Sequence, residues 1–239
     1  MTGRTAATRI DTVIVVVPAR NEEARLPRCL AALDEAVTAM QEEFGADAPS
    51  VSVLVVLDRC TDGSAAIVAG WPGVLAMQSD AGSVGSARRL GVQRQLAGAV
   101  PERTWVATTD ADSAVPRRWL SVQLALAAAG TELLLGTVLP DAELPAAERA
   151  RWHDEHDLVD GHPHVHGANL GVRADRYLAA GGFHDVDSDE DVLLVRALRD
   201  LGVHECRTAL IPVLTSGRLN GRAPGGFGGY LAEQVAANG

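Results

Sequence analysis

Three aliphatic runs each end abruptly in a polar loop, and this arrangement limits the possible folds more than any other feature of the chain. Thr12–Val17 reads TVIVVV, Val51–Leu57 reads VSVLVVL and Thr104–Thr109 reads TWVATT. Near-continuous runs of this kind are strands covered on both faces, because a strand with one wet face alternates polar and apolar residues. After the first run, apolar residues recur at Leu26, Leu30, Leu33, Val37, Met40 and Phe44. Those steps of three and four lay one stripe along a helix. A short helix near Ala65–Ala69, a strand at Gly73–Gln78 and a helix over Ser86–Leu96 complete a βαβαβαβ order. The expectation is a single α/β domain with a mostly parallel, doubly wound sheet, helices on both faces, and ligands at the carboxyl ends of the strands. The loops Pro18–Glu22, Asp58–Ser64 and Asp110–Asp112 should then meet at one sheet edge.

Composition sets further bounds. Hydrophobic residues make up 47% of the 239 residues but aromatics only 4%, so the core must be built from Val, Leu and Ala. A formal net charge of −10 argues against a nucleic-acid partner. An anionic nucleotide would need local positive charge or a metal. Cys29, Cys60 and Cys206 are odd in number and far apart, which fits a reducing compartment better than a disulfide framework or a zinc site. The polar start MTGRTAATRID is no signal peptide. No run approaches the roughly 18–20 apolar residues of a membrane span. A cytoplasmic protein without a transmembrane segment is expected, with peripheral contact at a membrane left open.

The second half is less regular. Thr131–Leu139 reads as a strand, Glu143–Val159 as a charged helix and His164–Val172 as a turn-rich segment with a strand at its end. Asp175–Ala180 and Glu190–Leu201 read as helices, the latter with Leu193, Leu194, Leu198 and Leu201 on its buried face. Glu205–Leu214 should close the sheet. From Thr215 the chain is Gly-rich, either a loose terminus or a lid whose Arg218 and Arg222 reach a phosphate.

Several clusters carry chemistry. Asp110 and Asp112 lie one residue apart after a strand, so both can face one hard divalent cation, which most often serves a diphosphate. Asp58, at the end of the second run, can accept from a nucleobase N–H or a ribose hydroxyl, or simply cap a turn. Asp62-Gly63 reads as turn chemistry. Gly82-Ser-Val-Gly85-Ser-Ala-Arg88 leads a glycine-rich loop into a helix, where N–H groups and Arg88 favour an anion. Asp187 to Asp191 open a helix, and capping accounts for most of them. Asp191, near the rim of the core, could instead deprotonate a hydroxyl.

Taken in order, VVVPARNEE, VLDRCTDGS, GSVGSARRLG, TTDAD, HGANLGVRADRYLAAGGF and SDEDVLLVRALRDLG resemble the family-2 inverting glycosyltransferases with the GT-A fold, from about Thr12 to Leu201. The resemblance implies that Pro18, Ala19 and Glu22 line a nucleotide pocket, that Asp58 contacts base or ribose and that Arg88 lies near the nucleotide. It implies that Asp110 and Asp112 form a DxD motif, with Asp112 the direct ligand of Mn²⁺ or Mg²⁺. Gly167, Ala168 and Asn169 would flank donor sugar and acceptor, and Asp191 in the Glu190-Asp191 pair would be the catalytic base. The implied partners are a nucleotide-diphosphate sugar and a hydroxyl acceptor. Residues 12–112 would form the nucleotide half, 113–214 the acceptor half and 215–239 the tail or lid. Leu57, Arg59 and Cys60 depart from the family's second motif, and the loop lysine and the Gln-x-x-Arg-Trp signature of processive synthases are missing. Transfer of a single sugar is therefore expected.

Other readings compete. A retaining transferase of related fold, acting for instance on phosphoglycerate, differs in product configuration. A nucleotidyltransferase needs an Arg/Lys-bearing glycine loop after the first strand, which PARNEE lacks. A degenerate nucleotide-sugar-binding module would bind without turnover. His153 and His156 lack HExxH spacing, while His162, His164 and His166 alternate and face one side of an extended segment. His166, beside Gly167, is the one expected to touch acceptor or diphosphate.

Overall fold

Val13, Val15 and Val17 face one side of a sheet and Ile14 and Val16 the other, and none of the five is more than 1% exposed. That burial on both faces is what the unbroken β-branched run required. The computed structural model of the chain describes residues 9–156, 158–186, 188–219 and 227–237. In order they form β1 (Thr12–Ala19), α1 (Leu26–Phe44), β2 (Ser50–Asp58), α2 (Ser64–Ala69), β3 (Val74–Ser79), α3 (Val84–Leu96), β4 (Thr104–Thr108) and β5 (Ser113–Ala114). There follow α4 (Trp119–Ala128), β6 (Leu133–Pro140), α5 (Ala146–Glu155), β7 (Leu170–Arg173), α6 (Ala174–Ala179), α7 (Glu190–Asp200), β8 (Glu205–Thr215) and α8 (Phe227–Ala237).

The eight strands make one sheet in the order β3-β2-β1-β4-β7-β6-β8-β5. The first four run parallel, and β7 is antiparallel to both neighbours, β4 and β6. The expected parallel α/β sheet is thus present in the first half and gives way to a mixed one in the second. Helices α1, α2, α4, α5 and α8 cover one face, and α3, α6 and α7 the other. Among the described residues no helix is long and apolar enough to cross a membrane.

Three sequence expectations need correction. The helix expected over Glu143–Val159 is only Ala146–Glu155. Pro145 disfavours helical backbone in the residue before it, and His156 turns extended, its ring stacked on Trp152 at 3.4 Å. On α7 the buried apolar residues are Leu194, Val195 and Leu198, whereas Leu193 and Leu201 are exposed. Asp189 precedes that helix in left-handed backbone (φ 62°) and makes no side-chain cap, so this residue is not one of those that capping explains. Helix α4 begins at Trp119, whose N–H donates to the Pro116 carbonyl at 2.8 Å.

The start of the tail is well anchored. Asp141 accepts from the N–H of Gly217 at 3.0 Å and from Arg28 at 2.7 Å. Glu143 accepts from the Ser216 hydroxyl at 2.6 Å and from Arg25 at 2.9 Å.

Candidate active site

The loops leaving β1, β2 and β4 line one cavity of about 370 Å³, whose other walls are the 165–168 segment, the start of α7, the residues after β8 and the first turn of α8. Pro18, Ala19, Glu22, Asp58, Arg88, Asp110, Asp112, His166, Gly167, Ala168, Glu190, Asp191 and Arg218 all line it, and the strand-end argument accounts for those on the loops after β1, β2 and β4. Arg222 lies outside the described residues.

Asn169 does different work. Fully buried, its amide donates to the carbonyls of Thr137 and Ile211, each at 2.8 Å, and accepts from the Trp119 indole at 2.9 Å. Those carbonyls flank the point where β6 and β8 shift register between Gly136 and Val138. The side chain thus satisfies polar groups the sheet leaves open and fixes the 167–169 turn from behind.

On the donor side, Asp58 is buried at the end of β2 and both of its oxygens accept the Gly82 N–H at 3.1 Å. Arg59, in left-handed backbone (φ 52°), donates to the Asp80 carbonyl at 3.0 Å, so the two residues together fold the 80–83 loop over the strand end. Asp62 accepts the N–H groups of Glu23 and Ser64, each at 3.0 Å, which is the expected turn chemistry.

Arg88 departs from the sequence expectation. Only 3% exposed, its guanidinium pairs with Glu190 and Asp110 and lies over the Phe183 ring at 5.7 Å. Burial works against its charge, but Asp110, Glu190 and Asp191 outweigh that and hold it cationic. A buried arginine so committed joins the Asp110 loop to α7 and is not a free phosphate donor.

Asp191 accepts the Gly167 N–H at 2.6 Å and lies on the cavity wall. Burial raises its pKa, with Arg88 opposing. A raised carboxylate is a stronger base. The Glu190 carboxylate, also raised by burial, is taken up by Arg88.

Asp112 is pushed up to about 6, first by burial and then by Asp110, against the pull of Arg218. Arg218 Nη2 lies 3.0 Å from Asp112 and 2.5 Å from Glu22. Carboxylates outnumber arginines on the cavity wall, so a cation entering with a diphosphate would offset their repulsion. Among the described residues no three potential ligands gather into a ready cage. Two adjacent carboxylates suit an octahedral, oxygen-preferring ion that keeps places for water and phosphate. The donor set therefore fits Mg²⁺ or Mn²⁺, with Asp110 and Asp112 as holders.

Sequence reasoning missed Val138, Val165, Val192 and Phe227, which also line the cavity. An apolar residue in a strand or helix carries no signal that separates a cavity wall from the core.

Residues 14–169 match the model of a protein family described as glycosyl transferase family 2. The chain belongs to that family. Its fold is the GT-A fold. A comparison with curated proteins returns no match. Among solved structures, residues 1–349 of Staphylococcus aureus TarS superpose with a TM-score of 0.60 at 17% identity, over 86% of this chain and 61% of that one. The chain thus spans less than two thirds of that relative. The mannosyltransferase PcManGT of Pyrobaculum calidifontis, solved with GDP-Man and Mn²⁺, matches with a TM-score of 0.59 at 15% identity, over 96% of this chain and 70% of that one. Glucosyl-3-phosphoglycerate synthase of Mycobacterium tuberculosis, solved with Mn²⁺, UDP and glucosyl-3-phosphoglycerate, gives 0.54 at 18%, over 95% and 78%. At these identities the likeness is one of fold.

Proposed function

We propose that this family-2 transferase moves a single sugar from a nucleoside-diphosphate donor to a hydroxyl acceptor, with inversion at the anomeric carbon and with Mn²⁺ or Mg²⁺ bound. The observation that carries the reading is the buried Arg88, whose one guanidinium spans Asp110 of the metal-binding pair and Glu190 beside Asp191. The acids needed at the diphosphate and at the acceptor are thereby held in one cavity.

Residues 12–112 form the donor half in this reading. Pro18, Ala19, Glu22 and Asp58 bind the nucleoside, and Asp112 and Asp110 hold the metal. When bound, the ion would supply positive charge to the diphosphate. Residues 113–214 form the acceptor half, in which Asp191 takes the proton of the acceptor hydroxyl. That oxygen bonds to the anomeric carbon from the face opposite the departing diphosphate, whose bond to carbon breaks. The products are a glycoside, a nucleoside diphosphate and protonated Asp191. Gly167 holds the unprotonated oxygen of Asp191 in place beforehand, so little reorganisation is needed at the transition state. Glu190 acts as a positioning residue through Arg88. At the start of the tail Arg218, paired with Asp112, would be available to the diphosphate.

Product configuration, read by the anomeric proton coupling in NMR, tests this. Inverted product is expected. Retained configuration would replace this account with the retaining one, in which Asp191 is not the base.

A further inference from the structure

We propose that the acceptor is an uncharged alcohol whose hydroxyl is borne by an apolar, flat-faced body, and that phosphorylated or carboxylated acceptors are excluded; this rests on the transferase reading above. A hydroxyl that reaches Asp191 lies in this cavity, and part of the cavity wall is apolar. Val192 follows Asp191 on α7 and is 45% exposed. Gly167, bonded to Asp191, is preceded by Val165 and His166, and Val138 of β6 and Phe227 of α8 line the same cavity. Apolar side chains thus come to one cavity from four separate parts of the chain. A lone exposed valine needs no explanation, but such a convergence does.

The wall is also stiff. The Phe227 ring meets Trp152 edge-on at 5.1 Å and 77°, and His166 at 6.5 Å and 89°. Behind them Trp152 stacks on His156, and His162, His164 and His166 form a ladder with spacings of 5.7 and 5.8 Å. The imidazole that faces the cavity is uncharged, because burial and then His164, His162 and His156 hold its pKa down to about 3. A fixed aromatic edge beside aliphatic groups suits a planar or hydrocarbon face. An acceptor carboxylate or phosphate would lose its water there and meet Asp189 and Asp191. Arg88, the guanidinium that acts on Asp191, is held by Glu190 and Asp110, and Arg218 is bound to Glu22 and Asp112 on the donor side.

Saturation-transfer NMR on the full chain, with phenyl β-glucoside, glucose and 3-phosphoglycerate as probes, reads acceptor binding without any donor. The phenyl protons should receive the strongest saturation, and phenyl β-glucoside should bind about tenfold more tightly than glucose. Phosphoglycerate should neither bind nor displace it. Phe227→Ala should remove that preference. Val192→Asp, which leaves the buried packing intact, should do the same. Equal binding of glucose and phenyl β-glucoside, displacement by phosphoglycerate, or an unchanged preference in both variants overturns the proposal. Failure of the transferase reading shows separately, as no binding or turnover of UDP-glucose or GDP-mannose with Mn²⁺ while phenyl β-glucoside still binds.

Discussion

The guanidinium of Arg88 lies buried against the carboxylate of Glu190, and this pair ties α3 to the helix that carries Asp191. Removing one partner of such a pair leaves an uncompensated charge in the interior. Arg88→Gln should therefore destabilise the fold by about 3–5 kcal/mol in urea unfolding. Adding Glu190→Gln should recover part of that loss, since the two positions are in contact. A loss within about 0.5 kcal/mol for Arg88→Gln would mean that the pair is not the link described.

The same junction depends on a glycine. A Cβ on Gly85 would run into the His184 carbonyl and come within 2.9 Å of Glu190 Cβ. Gly85→Ala should cost about 1–3 kcal/mol as overpacking and, by displacing α7, lower kcat by about 10²-fold. Melting and turnover measured on one preparation separate the two effects, and full activity would show that α7 need not approach α3 so closely.

Asp191 must be unprotonated to act. Its folded pKa is raised, first by burial, so activity should fall as pH drops through a value above the ordinary aspartate pKa of about 3.9. Asp191→Asn should remove about 10²–10⁴ in kcat and leave donor binding intact. A variant of normal activity, or a kcat profile flat down to about pH 4, contradicts the assignment.

Asp112 should trade stability for function. Its carboxyl is raised from 3.8 to about 6, so the ionised form is the disfavoured one in the fold. The cost is absent below the unfolded value of 3.8, grows as pH rises to about 6 and is complete above it. Asp112→Asn should therefore raise the stability of the metal-free protein by about 1–2 kcal/mol near neutral pH, with Arg218 still paired to Glu22. Thermal melting in EDTA checks this, and the gain should vanish near pH 4.

Much of this was legible in the chain because the strands are buried on both faces. The runs at Thr12, Val51 and Thr104 could be little else, and strand polarity then placed Asp58, Asp110 and Asp112 at one edge. Position beyond that depended on long-range contacts. Nothing local marks Asn169 as the bridge across the β6–β8 register shift, or Arg88 as a buried clamp and not an anion donor. The antiparallel direction of β7 depends on the chain's return path, which hydrophobic pattern does not encode. Helix α8 was hidden by the glycines at 228 and 229, whose weak helix propensity tertiary packing of Leu231 overrides.

The central claim is that the acidic cavity admits a nucleoside diphosphate only together with a divalent ion held by Asp112. Calorimetric titration of UDP and GDP into the wild-type chain and Asp112→Asn, each with Mn²⁺ and with EDTA, tests it most directly. At least one nucleotide should bind the wild-type chain with Mn²⁺ and lose most of its affinity both in EDTA and in the variant. Equal affinity with and without the ion, or binding undiminished by Asp112→Asn, would contradict the account.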